Sequence, residues 1–264
     1  MTIFQTVILA IVEGITEFLP VSSTGHMIIA QKILAMESTE FVKAFTVNIQ
    51  FGAILSVVVL YWKRFFQTFD FYVKLLIAVI PALVLGFLFS KKIDLLLENV
   101  TVVAIMLVLG GVLMLFVDKW FQNTNENQEM DWKRALKIGF CQCIAMIPGV
   151  SRSMATIVGG MSTKLTRKNA AEFSFFLAVP TMAAASGYKL LELFKDPAAK
   201  TMLSDNLMSL LIGNLVAFVV AMASIKFFIS FLTKYGFKAF GYYRIVVGLA
   251  ILILIYLGVD LSIL

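Results

Sequence analysis

The sequence predicts an all-α polytopic membrane protein made of two inverted repeats, each a re-entrant broken-helix hairpin plus three transmembrane helices. Composition is the first reason, because 60% of the residues are hydrophobic and 14% are charged, whereas soluble domains carry about 25% charged residues. The apolar runs are also long and continuous, which excludes a transmembrane barrel of short alternating strands. Finally, the same order of apolar segments, two short ones followed by three long ones, occurs twice along the chain. We therefore expect a single integral membrane domain over residues 1–264, with repeats at about 1–122 and about 130–264.

A short apolar segment occupies residues 3–19 and is interrupted by Glu13 and Glu17 before it ends at Pro20. It is too short and too polar for an ordinary span of about 20 apolar residues. A second short segment follows at about 22–35. Two half-length helices that meet at a turn predict a re-entrant hairpin, because irregular backbone is tolerated at membrane depth only inside protein or beside a polar cavity.

Three runs of full transmembrane length come next, at about 42–62, 72–90 and 100–118. A polar stretch from Asp118 to Lys137 then forms the one substantial hydrophilic loop of the sequence. After this loop the pattern begins again with a broken hairpin and three spans. Their expected positions are 135–147, 151–161, 170–191, 206–232 and 241–259.

The two broken segments align with each other. Pro20 to Thr24 matches Pro148 to Ser153, and the valines of the two stretches lie 129 positions apart. In the register that matches these valines, Glu13 falls opposite Gln142. Because each repeat has an odd number of spans, the second is expected to be inserted upside down relative to the first. Such repeats form binding sites from paired broken helices near the membrane midplane.

Loop charges predict the orientation. In this topology thirteen of the 22 basic residues, Arg244 among them, fall on one face and seven fall on the other. Only Arg152 and Lys226 are left within apolar segments. By the positive-inside rule the more basic face is cytoplasmic. We therefore expect both termini outside, with the two hairpins entering from opposite faces and meeting at their tips.

Glu13 and Glu17 are spaced i, i+4 and so share one face of a helix. Ionisable groups at membrane depth are costly, and for that reason they indicate function. Two carboxylates this close repel each other unless a cation compensates. The pair suits a divalent cation, general-base work, or both. The alternative is a pair of acids that faces water at a helix end.

Three hydroxyl residues and the only histidine of the chain follow at once, at Ser22, Ser23, Thr24 and His26. The hydroxyls can cap the second half-helix, whose free N–H groups also form an anion site. His26 lies three residues after Ser23, so both can share one helix face. A hydroxyl beside an imidazole is a minimal nucleophile–base pair, although a lone histidine can also be structural.

Arg152 opens the second half-helix and is the only arginine expected within an apolar segment. Its guanidinium can bind phosphate oxygens as a fork, while an internal ion pair with Glu13 or Glu17 is the alternative. Further donors to the same anion are available at Ser151, Ser153 and Thr156. Together, two helix N-termini, an arginine and a Ser/His/Glu set describe a phosphoryl-transfer site inside a membrane.

Other function classes fit less well. No basic stripe with interleaved aromatic residues appears outside the expected loops, so we exclude a nucleic-acid partner. A carrier for a lipid phosphate or small solute is the main alternative, because inverted repeats and buried acids also mark alternating-access transporters. A nucleophile, a histidine and an arginine at one place favour an enzyme. Glu172 can reach this site from its span or can pair with Lys168 at the membrane edge.

Two stretches, Glu13 to His26 and Pro148 to Thr156, strongly resemble the two signatures of the undecaprenyl-diphosphate phosphatase family, the bacitracin-resistance proteins. The resemblance covers essentially the whole chain and includes Glu172 to Pro180. It implies hydrolysis of undecaprenyl diphosphate to undecaprenyl phosphate and inorganic phosphate, which recycles the lipid carrier of cell-wall synthesis. It also implies a bacterial plasma-membrane enzyme with an outward-opening site, a divalent cation (Mg²⁺ or Ca²⁺), a polyprenyl diphosphate lipid as substrate, and a homodimer.

The same resemblance assigns residue roles. The serine nucleophile maps onto Ser23, the acidic pair onto Glu13 and Glu17, the histidine onto His26 and the arginine onto Arg152. We expect these five to be catalytic, with Glu13 and Glu17 also as metal ligands. The expected phosphate-binding residues are Ser22, Thr24, Ser151, Ser153 and Thr156. Ser23 would attack the terminal phosphorus while Glu17 or His26 takes its proton. Direct attack by water, with Ser23 only a ligand, is the alternative.

Overall fold

A computed structural model describes residues 1–37, 39–65, 69–97, 99–122, 124–195, 202–259 and 261. The regular structure within these residues is helical, and they contain no strand. In chain order the helices are α1 (Ile3–Thr16), α2 (Ser23–Ile33), α3 (Glu40–Leu60), α4 (Trp62–Phe65), α5 (Phe69–Leu97), α6 (Val100–Trp120), α7 (Trp132–Ile144), α8 (Arg152–Ser162), α9 (Arg167–Lys195), α10 (Leu207–Tyr235) and α11 (Lys238–Tyr256).

Every segment that the sequence predicts to be helical is a helix in the structure. Among the described residues, five helices are long and apolar enough to cross a membrane: α3, α5 over Phe69–Ser90, α6, α10 and α11. The sixth expected span is α9, a helix of 29 residues with Pro180 inside it, but it is not among those five. The protein is therefore an all-helical, multi-pass membrane protein.

Several helix boundaries differ from the prediction by a few residues, and those of α5 and α7 are examples. α5 continues to Leu97, beyond the expected end at residue 90. α7 starts at Trp132, inside the stretch that we expected to be loop. The reason is a local cap, because the Asp131 side chain accepts a hydrogen bond from the Arg134 backbone N–H at 2.8 Å. Such a cap satisfies one of the free donors at a helix start.

The two broken segments have the same local structure. α2 and α8 each contain 11 residues, and their first residues lie 129 positions apart. Each is preceded by a serine with positive φ, 70° at Ser22 and 74° at Ser151. Each is also followed by a residue with positive φ, 47° at Ala35 and 69° at Lys164. The alignment found in the sequence therefore agrees with the backbone at these positions.

Helices from the two halves pack against each other through glycine. α1 lies against α10 at Gly14, where an added Cβ would be 2.9 Å from the Ala217 carbonyl oxygen. α7 lies against α5 at Gly139, where an added Cβ would be 2.5 Å from the Ala78 carbonyl oxygen. Small residues let helix backbones approach this closely in membranes. Each broken segment is therefore packed on a helix of the opposite half.

A chain of buried aromatic rings connects the first turn with the helices behind it. Phe18 meets Phe175 of α9 edge to face at 5.4 Å, and Phe175 meets Phe228 of α10 at 6.0 Å. Phe228 in turn meets Phe240 of α11 at 5.4 Å. Aromatic pairs at these distances stabilise beyond the area that they bury. This core fixes the first turn against α9, α10 and α11.

Candidate active site

The candidate site lies where the turn between α1 and α2 meets the turn between α7 and α8. Ser22 and Ser151 are the N-cap residues of the two half-helices, and both have φ in the left-handed region. This backbone conformation costs a non-glycine residue about 1–3 kcal/mol and persists only where the surroundings determine it. Ser23 and Arg152, the candidate nucleophile and the candidate phosphate ligand, come directly after these residues and occupy equivalent positions.

The Ser153 hydroxyl joins the two turns directly, because it donates a hydrogen bond to the Leu19 carbonyl oxygen at 2.8 Å. Ser151 Oγ lies 3.1 Å from Ser153 Oγ and accepts from the Met154 backbone N–H at 3.4 Å. Ser153 is completely buried. The second turn is therefore fixed both by its own cap and by the first turn.

Arg244 of α11 holds both turns from behind. Its guanidinium donates to five carbonyl oxygens, at Pro20 (3.1 Å), Met106 (3.1 Å), Leu107 (3.4 Å), Gly149 (2.7 Å) and Val150 (3.1 Å). Its side chain is completely buried. Our assignment of Arg244 to a cytoplasmic loop is therefore wrong, as is the expectation that Arg152 is the only arginine within an apolar segment.

The sequence contained a signal for this residue. Arg244 lies inside the span expected at 241–259, so hydropathy alone would have placed it in the membrane. Counting it as a loop charge overlooked that a planar guanidinium can be buried when carbonyl oxygens satisfy its five donors. Without Arg244 the loop charges are still more positive on the same face.

Ser23, Glu17 and Arg152 form one connected group. Ser23 Oγ donates to Glu17 Oε2 at 2.9 Å, and Arg152 Nη2 donates to Glu17 Oε1 at 3.2 Å. Arg152 Nη1 also donates to the Ser174 carbonyl oxygen at 3.2 Å, and its guanidinium lies 5.9 Å from the centre of the Phe18 ring. The internal ion pair considered for Arg152 is thus present, with Glu17 as its partner.

Glu13 lies beside Glu17 in the interior and is 1% exposed. Both carboxyl groups are buried and lie one helical turn apart, an arrangement that favours a shared proton or a cation between them. Within the described part of the chain, Glu13 Oε1 has no hydrogen-bond partner, and neither has Arg152 Nε. Because buried polar atoms are normally satisfied, these atoms indicate that a further group completes the site.

Gln142, which the alignment places opposite Glu13, shows the same feature. Its Oε1 accepts from Thr181 Oγ1 at 3.3 Å, while its buried Nε2 has no hydrogen-bond partner among the residues that the structure describes. Both halves therefore place an unsatisfied polar atom at this position.

The Ser23 hydroxyl donates its hydrogen bond to Glu17, and the ring nitrogens of His26 have other partners. His26 Nδ1 lies 2.8 Å from the Ser22 carbonyl oxygen and its Nε2 lies 2.7 Å from the Tyr243 hydroxyl. The nucleophile–base pairing that the spacing allowed is therefore not the arrangement in this structure. Tyr243 is a site residue that the sequence analysis missed, because no local pattern connects it with His26, 217 positions away.

The remaining predicted phosphate ligands differ in their surroundings. The Ser22 side chain is buried and makes no cap hydrogen bond, whereas Thr24 is half-buried. Thr156 is completely buried; its Oγ1 donates to the Arg152 carbonyl oxygen at 2.8 Å and lies 2.6 Å from Ser174 Oγ. Thr156 and Ser153 are thus occupied by protein groups, while Ser23 and Thr24 are the more accessible hydroxyls.

Glu172 lies outside this group. It forms an ion pair with Arg64 of α4 at 2.6 Å, so that Arg64 is its partner and not Lys168, as we had considered. Burial, together with the negative charge of Glu172, raises the pKa of Tyr61 to about 12. Tyr61 is therefore neutral at physiological pH.

The donor set fits a hard divalent cation in part. Among the described residues, no three His, Cys, Asp or Glu side chains come together as a metal site, so the protein offers the Glu13 and Glu17 carboxylates. Mg²⁺ often binds through one or two carboxylates plus substrate phosphate oxygens. The unpartnered Glu13 Oε1 is available for such a bond.

The fold and the site define a class of protein: a multi-pass membrane protein with a hydroxyl, a carboxylate and a guanidinium in one buried group. This combination is typical of phosphoryl-transfer enzymes, in which an arginine stabilises charge on the transferred group.

The chain belongs to the family of BacA, the bacitracin resistance protein, whose family model matches residues 6–250. It is 61% identical over 254 residues to an undecaprenyl-diphosphatase of Flavobacterium psychrophilum, covering 96% of both chains. It is 56% identical over 282 aligned positions to the undecaprenyl-diphosphatase of Porphyromonas gingivalis, covering 100% of both. An undecaprenyl-diphosphatase of Aquifex aeolicus is 45% identical, over 94% of this chain and 97% of its own.

Proposed function

We propose that this protein hydrolyses undecaprenyl diphosphate to undecaprenyl phosphate and inorganic phosphate, and so recycles the lipid carrier of peptidoglycan synthesis. The relatives named above carry this activity in their names and match over nearly the full length. The observation that carries the proposal is the Ser23–Glu17–Arg152 group, with part-buried bonds of 2.9 and 3.2 Å.

The first chemical step uses Ser23 as nucleophile. Ser23 Oγ attacks the terminal phosphorus, and its proton passes to Glu17, which already accepts the hydrogen bond. The new Oγ–P bond forms as the bond from phosphorus to the bridging oxygen breaks, and undecaprenyl phosphate leaves with that electron pair. In the second step water attacks the phosphoserine, the Oγ–P bond breaks, and Ser23 recovers its proton from Glu17. The spare proton of the water stays on the inorganic phosphate that leaves.

Arg152 and the backbone N–H groups at the starts of α2 and α8 bind the diphosphate oxygens. A helix start presents free donors and a positive dipole end to an anion. Arg152 also contacts Glu17, so substrate binding divides its donors between the carboxylate and the phosphate. Direct attack by water, with Ser23 as a ligand only, is the competing mechanism.

The test is phosphate release from a C55 diphosphate by purified protein in detergent. A transporter needs two compartments, whereas hydrolysis does not, so release in detergent separates the two functions. Ser23→Ala should lose activity to below a few per cent at saturating substrate, and a phosphoserine should be trapped on Ser23 in the parent protein. Ser162→Ala, on the exposed end of α8, is the matched control. Substantial activity in Ser23→Ala would rule out the covalent mechanism.

Glu13 and Glu17 would hold the divalent cation, Mg²⁺ or Ca²⁺, that the family resemblance implies. When bound, such an ion neutralises negative charge on the diphosphate. Glu13→Gln should raise the Mg²⁺ concentration needed for half-maximal activity and weaken direct Mg²⁺ binding measured by calorimetry. Unchanged metal binding in this variant would remove Glu13 as a ligand.

The protein is proposed to have the inverted-repeat topology, with both hairpins re-entrant and both termini and the site opening on the outer face of the bacterial plasma membrane. Three observations support this topology. The starts and the ends of α2 and α8 are both 129 positions apart, the residues that flank the two helices have matching positive φ angles, and each broken segment packs on a helix of the opposite half. Loop charges support the orientation. The homodimer implied by the resemblance stays a prediction, and native mass spectrometry in detergent measures it.

A further inference from the structure

Tyr243, His26 and Ser22 are joined by a chain of hydrogen bonds whose direction can be assigned. A carbonyl oxygen only accepts, so His26 Nδ1, 2.8 Å from the Ser22 oxygen, must carry the proton. In a neutral imidazole the other nitrogen is then an acceptor. The Tyr243 hydroxyl, 2.7 Å from His26 Nε2, is therefore the donor. The two rings are nearly parallel, with 11° between their planes.

This chain ends on the strained residue of the site. Ser22 has a φ of 70°, and its side chain makes no cap hydrogen bond that would hold it there. Its carbonyl oxygen accepts from the His26 side chain and, at 3.4 Å, from the His26 backbone N–H. The same carbonyl belongs to the peptide bond whose nitrogen is that of Ser23. Fixing this oxygen therefore fixes the direction in which Ser23 leaves the turn.

We propose that Tyr243 is a positioning residue: it holds His26 in the Nδ1–H tautomer, and His26 thereby holds the Ser22–Ser23 peptide so that Ser23 Oγ points at Glu17. This inference rests on the proposed hydrolysis by Ser23. In this arrangement His26 acts without receiving the Ser23 proton, since that hydroxyl is bonded to Glu17.

The position of Tyr243 makes the inference testable without unfolding the protein. Its side chain is 47% exposed, so removing its hydroxyl changes little of the core. The next residue, Arg244, holds the Pro20 carbonyl of the same turn. Tyr242, which is 61% exposed on the same helix, provides a matched control for the loss of one phenol hydroxyl.

The first test reads the tautomer directly. His26 is the only histidine of the chain, so the side-chain signals in the NMR spectrum of protein labelled with ¹⁵N-histidine come from its two ring nitrogens. The spectrum is recorded in detergent at about pH 8, which is above the usual histidine pKa of about 6.5. We expect a protonated Nδ1 and an unprotonated Nε2 in the parent protein and in Tyr242→Phe. Tyr243→Phe should show a mixture of tautomers. A parent spectrum with the proton on Nε2, or a Tyr243→Phe spectrum equal to the parent, would overturn the proposal.

The second test uses kinetics on the C55 diphosphate. Tyr243→Phe should lower kcat by about tenfold, the worth of one hydrogen bond, and leave KM within about twofold. His26→Asn keeps an amide N–H near the place of Nδ1 and should retain far more activity than His26→Gln. In the His26→Asn background, Tyr243→Phe should have no further effect, because Nε2 is gone.

Independent losses in the double variant, or a more active His26→Gln than His26→Asn, would contradict the proposal. The two tests also separate its failure from failure of the proposed function. If the parent protein released no phosphate, the hydrolysis proposal would fail, whereas the ¹⁵N spectra would still decide the tautomer.

Discussion

Glu17 is the residue at which the charges of the site meet, because one carboxylate oxygen accepts from Ser23 and the other from Arg152. Its side chain is 8% exposed. Breaking a buried ion pair by removing one partner is costly, because it leaves an uncompensated charge. The i, i+4 spacing with Glu13 predicted two acids on one helix face. In the structure the positive charge beside them is the guanidinium of Arg152, which pairs with Glu17.

Arg152→Ala should abolish the transition-state contact and lower kcat by about 10³-fold or more, as for other arginines that stabilise a transferred phosphoryl group. Arg152→Lys keeps the charge without the planar, two-pronged guanidinium, so its kcat should lie between those of the parent protein and Arg152→Ala. Phosphate release at saturating substrate measures both, with Lys137→Ala on α7 as an exposed control. Near-normal turnover of Arg152→Ala would remove this residue from the mechanism.

Arg244 is as important for the architecture as Arg152 is for the chemistry. Arg244→Met should lower the unfolding temperature strongly, because five carbonyl oxygens lose donors that come from a charged group, each worth about 1.5–3 kcal/mol. Lys238→Met, an exposed change on the same helix, should leave the temperature unchanged. Thermal unfolding of the purified variants measures this difference. Equal unfolding temperatures for Arg244→Met and Lys238→Met would show that the Arg244 guanidinium does not stabilise the turns.

At the scale of elements, the two half-helices are defined by where they break. Each break ends in a serine with positive φ, followed by a helix of 11 residues. A tight turn of this kind places a helix N-terminus, with its free N–H groups, inside the protein. The sequence showed the breaks through proline and serine, but not the left-handed backbone, because serine rarely adopts it.

Ser22→Gly should unfold at the same or a higher temperature, because glycine adopts positive φ without strain, and Ser22→Val should unfold at a lower one. Ser230, which is exposed in the interior of α10, is the opposite control, where a glycine should destabilise the protein by about 0.5 kcal/mol. If the Ser22 hydroxyl binds phosphate, kcat/KM of Ser22→Gly should fall while stability does not. A less stable Ser22→Gly would show that backbone strain is not the feature that matters there.

At the scale of the whole molecule, the site forms only because helices of the two halves pack against each other. α1 packs on α10, and α7 packs on α5, each with a glycine at the contact. The Ser153 hydroxyl and the Arg244 guanidinium then join the two turns to each other. Ser23 and Glu17 come from one half and Arg152 from the other, so neither half carries the group alone.

The proposed orientation can be measured with single cysteines. In a background where Cys141 and Cys143 are replaced by alanine, Glu126→Cys in the central loop should react with a membrane-impermeant maleimide only after the cells are opened. Glu37→Cys, between α2 and α3, should react in intact cells. Both positions are exposed. The reverse pattern would show that the orientation is opposite to the proposed one. Reaction of both cysteines in intact cells would exclude the proposed topology.

Hydropathy and the positions of proline, serine and acid were enough to predict every helix named above except the four-residue α4, because a helix in lipid must satisfy its backbone internally. They also predicted both breaks and the group Glu13, Glu17, Ser23 and Arg152. Which side chains pair was decided only by the tertiary structure. His26 could pair with Ser23 by spacing, yet it is bonded to Tyr243, and Arg244 resembled a loop charge, yet it holds both turns. Such partners lie on helices distant in sequence, and a local pattern contains no information about which distant groups will meet.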